Sequence, residues 1–139
     1  MFIKFVGTLF NMLESCVLRN TNEFNIPYGS NYGYEAMYFG VNLILMIDYR
    51  LSFDINVQEG DDIEALIVTR KDFARWKDNN DTVQTVYRKK EGRINDIFIP
   101  ASSDSYVLVL NNRYSNAMKK VSVALTHTWN QEIGTHDQG

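Results

Sequence analysis

The stretch Leu45-Met46-Ile47-Asp48-Tyr49-Arg50-Leu51-Ser52-Phe53-Asp54-Ile55-Asn56-Val57 decides the fold class. Leu45, Ile47, Tyr49, Leu51, Phe53, Ile55 and Val57 are apolar at every second position, with Asp48, Arg50, Ser52, Asp54 and Asn56 between them. A strand sends alternate side chains to opposite faces, so this spacing puts all seven on one side. A helix would scatter them around its circumference. One dry face and one wet face is the pattern of an antiparallel sheet covering a core.

Working outward, Glu59-Gly60-Asp61-Asp62 reads as a turn and Ile63–Val68 as a strand, expected to be the antiparallel partner of the first. Lys71–Trp76 reads as a short irregular or helical turn, and 77–81 as a polar loop. Further strands are expected over 82–89, around Ile94, Ile97 and Ile99 up to the stop at Pro100, and over 121–126. Tyr106-Val107-Leu108-Val109-Leu110 is a continuous apolar run, consistent with a strand buried on both faces. Upstream, Tyr34–Phe39 is another candidate. About seven or eight strands with turns every ten or so residues point to a β-sandwich.

Composition agrees. The chain has 139 residues, enough for one domain, and its 45% hydrophobic content supplies a core and argues against disorder. The first residues, Met1–Phe10, are apolar after Lys4, but Asn11 and Glu14 break the run before it could span a bilayer. They read as a short amphipathic helix or an edge segment. The expected organisation is an N-terminal apolar segment over 1–23, a sandwich over 24–129 and a polar, frayed tail over 130–139.

A net charge of −3 lacks the basic footprint of a nucleic-acid binder, and Arg88-Lys89-Lys90 and Lys119-Lys120 read as solvated strand ends. The single cysteine, Cys16, precludes an internal disulfide and fits a reducing, cytoplasmic setting. No nucleophile–base pairing, zinc-ligand spacing, calcium loop or glycine-rich phosphate loop is apparent. No catalytic residue, metal ligand or cofactor is therefore assigned, and His127 reads as a structural strand histidine. The best candidate contact surface is aromatic. Tyr28, Tyr32, Tyr34 and Tyr38 cluster with glycine and serine, and Phe73 and Trp76 follow the Ile63–Val68 strand. Tyrosines on loops give amphipathic contact area at low entropic cost.

The final third carries a recognisable phrase. Ile97-Phe98-Ile99-Pro100 leads into Ser105-Tyr106-Val107-Leu108-Val109-Leu110-Asn111-Asn112, then Tyr114-Ser115, then Lys119-Lys120-Val121-Ser122-Val123. It resembles the end of a GOLD ("Golgi dynamics") domain, with Arg113 standing where that family commonly has a small polar residue. The resemblance covers the order of strands over 24–129 and the wording over 97–123. Within it, Asn111 and Asn112 are expected to adopt left-handed turn angles, Tyr114 to bond the main chain, and Lys119 and Lys120 to guard an edge strand.

The expected fold is thus an all-β antiparallel β-sandwich, jelly-roll or GOLD-like, with a short N-terminal helix or edge segment. The expected function is a non-enzymatic interaction module with a protein partner and no nucleic acid. The resemblance implies protein–protein contacts at membrane-associated assemblies. Peripheral membrane association and homo-oligomerisation stay open. The alternatives are a carbohydrate- or lipid-binding sandwich using Tyr28, Tyr32 and Trp76, and a structural subunit of a homo-oligomer or virion.

Overall fold

The structure is a computed structural model describing residues 2–6, 9–78 and 82–137. Among these lie β1 (Phe2–Val6), β2 (Leu9–Ile26), β3 (Tyr34–Val41), β4 (Ile47–Glu59), β5 (Ile63–Thr69), α1 (Arg70–Lys77), β6 (Tyr87–Glu91), β7 (Arg93–Phe98), β8 (Asp104–Asn111) and β9 (Lys119–Asp137). One sheet has the order β1-β2-β9-β4-β7 and the other β3-β8-β5-β6, with every pairing antiparallel. Strand β2 pairs β9, β3 pairs β8, β4 pairs β7 and β5 pairs β6. That is one long hairpin, its halves β2–β5 and β6–β9, rolled until β9 also meets β4 and β8 meets β5. The architecture is a jelly roll, with β1 added at one edge.

Alternation builds the core. Tyr49, Leu51, Phe53 and Ile55 of β4 and Val121, Val123 and Leu125 of β9 turn inward and are buried. They meet Ile63, Ala65 and Ile67 of β5 and Tyr106, Leu108 and Leu110 of β8. The opposite faces of β5 and β8 are apolar too: Leu66, Val68, Val107 and Val109 form a second buried cluster with Phe73 and Trp76 of α1 and with Val83. These strands read as continuous apolar runs because a helix covers their outer side. The Thr69 side chain caps α1 by accepting from the Asp72 backbone N–H at 3.2 Å. That satisfies a donor the first turn leaves without a partner. Among the described residues no helix is long and apolar enough to cross a membrane.

Several expectations need correction. The strand quoted first begins at Ile47, and Leu45 stands exposed before it. Strand β5 is not the hairpin partner of β4; the two lie in different sheets. Gly60, at φ 121°, provides a left-handed bend between them that a side chain would strain. A Cβ there would also sit 2.8 Å from the Lys119 Cγ. Of the two forms expected for the N-terminal segment, the described residues take the edge-strand one, and β2 and β9 run past both expected domain boundaries. Gln131–Asp137, read as a polar tail, pairs with Leu9–Glu14. Expectations that fall on Met1, Gly7, Thr8, 79–81, Gln138 and Gly139 lie outside the described residues.

Candidate functional site

Along its whole length β2 pairs on one side with β9, whereas on the other it pairs with β1 only over Leu9–Leu13. From Glu14 to Ile26 the second edge has no strand partner among the described residues. Pairing opposite the inward Leu125, Val123 and Val121 sets the faces. Leu18, Asn20, Asn22, Phe24 and Ile26 point toward the facing sheet, and Val17, Arg19, Thr21, Glu23 and Asn25 point away. Ile26 is fully buried, but Leu18 is 57% exposed because β3 scarcely covers this end of β2. The sandwich therefore stays open along the β2/β3 side.

A groove of about 340 Å³ enters there, between Leu18, Met37, Phe39, Met46, His127 and Trp129. His127 forms part of its floor, and beneath the groove the His127 Nδ1 and the Tyr49 hydroxyl share a buried hydrogen bond of 2.6 Å. Phe39 lies edge-on to the His127 ring and stacked with Tyr106. Burial pushes the Tyr49 phenol up and holds the His127 imidazole below its usual range. Both groups are therefore neutral at pH 7. A neutral imidazole bonded to a neutral phenol gives the apolar groove a polar floor. Among the described residues no carboxylate hydrogen-bonds to either side chain.

The residues singled out from the sequence separate in space. Tyr28 and Tyr32, 54% and 77% exposed, stand on the loop before β3. That loop is held by the Gly33 N–H donating to the Gly29 carbonyl at 3.0 Å. Gly33 has to lack a side chain, since a Cβ would lie 2.6 Å from that carbonyl oxygen. Tyr34 is half-buried on β3, edge-on to Phe73 at 5.9 Å and to Trp76 at 5.3 Å. Phe73 and Trp76 are not a contact surface: they are 2% and 1% exposed. The amphipathic α1 turns them onto β5 and β8, whose outer valines and leucine would otherwise face water. Aromatic stacking by Trp76 on a sugar is thereby removed.

The phrase at the end of the chain forms a lock rather than an edge. Asn112 is fully buried, and its Nδ2 approaches the carbonyls of Ile26, Pro27 and Ala117 at 2.9–3.2 Å. Its Oδ1 is buried without a partner. Neither Asn111 nor Asn112 has a positive φ; Asn111 instead accepts the Arg113 backbone N–H on its side chain. The Arg113 guanidinium lies 3.5 Å from the Trp76 ring centroid and donates to the Trp76 carbonyl at 3.0 Å, which gives this arginine a structural role. Tyr114 donates to the Asp62 carboxylate at 2.6 Å, not to the main chain. Lys119 is buried against the Tyr114 ring and paired to Asp62 at 3.3 Å, and β9 is an inner strand, so neither lysine guards an edge. Tyr114 first, then Lys119, holds the Asp62 carboxyl below the usual range.

The full length of β2 was not legible in the sequence, which suggested at most an edge segment within 1–23 and a strand end at Phe24–Ile26. The available signal was the row Leu18, Asn20, Asn22, Phe24, Ile26, apolar at both ends and polar in the middle on one face.

No family model matches this chain, and no curated protein matches it. Among solved structures twelve chains match. One is the decameric BFDV capsid protein, similar at a TM-score of 0.50 and 10% identity over 88% of this chain and 100% of that one. At that identity the likeness is one of fold.

Proposed function

We propose that this chain is a structural subunit that assembles with copies of itself through the open β2/β3 side of its sandwich. One observation carries the reading. The Glu14–Ile26 edge is long, contains no proline, borders the groove at Leu18, and leaves both Leu18 and the outward Val17 more than half exposed. An unpaired edge of this kind is a template for another strand, and proteins that work as monomers shorten, charge or cover it. The decameric capsid protein of similar fold supports the same direction. Light scattering tests it: the mass should rise above 16.1 kDa as concentration increases. A constant monomer mass up to millimolar concentration overturns it.

A second reading keeps the GOLD-like resemblance: a non-catalytic module binding another protein at the Tyr28–Tyr32 loop. The exposure of both tyrosines favours it. Capture of a partner by the monomer, lost on Tyr32→Ala, is the result that would move this reading ahead.

A further inference from the structure

The free edge of β2 has a self-complementary order of side chains. Resting on the reading above that the chain self-assembles, we infer that two copies join β2 to β2 in antiparallel fashion about a two-fold axis through Thr21, making one continuous sheet across both subunits.

Four observations converge on this register. A two-fold axis perpendicular to the sheet keeps each face on its own side, so only residues of the same face stand opposite each other. Centred on Thr21, the outward Arg19 meets the partner's Glu23, and by symmetry Glu23 meets the partner's Arg19. Among the described residues Arg19 has no ion pair, while Glu23 uses Oε1 on Lys120 at 2.9 Å and keeps Oε2. On the inward face the same register sets Leu18 opposite the partner's Phe24, twice. Leu18 is 57% exposed in the single subunit, so burial there removes apolar surface from water. Thr21 then faces its own copy, a favourable cross-strand pair.

The ends agree with the middle. Pairing in this register runs from Cys16 opposite the partner's Ile26 to Ile26 opposite the partner's Cys16. Pro27, which has no N–H to give a ladder, follows at one end. At the other, β1 occupies the same edge up to Leu13 and stops short of Cys16. Pairing Arg19 with Glu14 instead would set an outward residue against an inward one.

The test mixes two variants. Arg19→Glu alone sets carboxylates against carboxylates across the two-fold, and Glu23→Arg alone sets guanidinium against guanidinium. Each is expected to weaken self-association roughly 10- to 30-fold. Mixed together, the two chains are complementary at both pairs, and light scattering should recover a dimer composed of one of each. As a check independent of charge, in a Cys16→Ser background Thr21→Cys should join two chains through a short bismaleimide. Val17→Cys should not, its copies being about 27 Å apart in this register. A wild-type monomer at every concentration overturns the self-assembly reading and this inference with it. A wild-type oligomer that ignores both single substitutions, or variants that stay apart on mixing, overturns the β2 pairing alone.

Discussion

The two lateral edges of this sandwich have opposite character. On the β6/β7 side the strands are short and carry Arg88, Lys89, Lys90, Glu91 and Arg93. The chain crosses between the sheets at Gly92, whose carbonyl accepts from Val57 N–H at 2.9 Å. Tyr87, on one sheet, donates to Asp96, on the other, at 3.0 Å, and lies edge-on to Phe53. Beneath this strap Ile94 is fully buried. On the β2/β3 side the chain crosses between the sheets over 27–33, but among the described residues no side-chain hydrogen bond joins β2 to β3. The inward positions of β2 turn polar at Asn20 and Asn22, whose side chains bond each other at 3.1 Å. The difference teaches where the core ends. One edge is sealed by its own chain, and the other is left with backbone and Leu18 still to be covered.

The largest effect should come from breaking the sealed side. Ile94→Ala removes most of a fully buried side chain, at a cost of about 2–5 kcal/mol in urea unfolding. A cost below about 1 kcal/mol would mean that the two sides differ less than their burial indicates.

Next comes the floor of the open groove. The His127 imidazole has its folded-state pKa lowered by burial, so the folded chain resists the proton that the unfolded chain accepts. Stability is therefore complete above the unfolded value of about 6.5 and declines as pH falls from there through the lower folded value. The Tm of the wild type should fall between pH 7.5 and pH 5.5 more steeply than that of His127→Gln. Equal slopes would place the imidazole in contact with water and the groove floor wet. Acid loss from Asp62, also held low, belongs to a separate window below about pH 4 and leaves this comparison undisturbed.

The same contrast explains what could be read from the sequence. Strand β4 was legible because core and water impose period two on it, and β8 because α1 and the core dry both its faces. The placement of β5 in the other sheet was not, since sequence neighbours are the usual hairpin partners. What sends β5 to the other sheet is a Gly60 bend packed on Lys119, a residue far along the chain. Phe73 and Trp76 read as contact residues because eight residues of helix show too little periodicity to reveal the outer faces of β5 and β8 as their partner. Strand β2 was least legible for the reason that makes it a candidate site. Over Leu18–Asn22 its inward row meets open space, while Phe24 and Ile26 reach the core, so Asn20 and Asn22 stand where alternation calls for apolar residues.

The smallest effect is expected at Leu18. In a dilute single subunit the side chain is mostly in water, so Leu18→Ser should change unfolding free energy by no more than about 0.5 kcal/mol. The same substitution removes apolar area from both halves of the two-fold contact, so self-association should weaken while the subunit keeps its Tm. That dissociation of stability from assembly is what a free edge predicts and a core residue does not. If Leu18→Ser instead costs more than about 1.5 kcal/mol at concentrations where the chain is monomeric, the groove closes over Leu18 within one subunit. The open side would then be as sealed as the β6/β7 side, and β2 would have no need of a second copy.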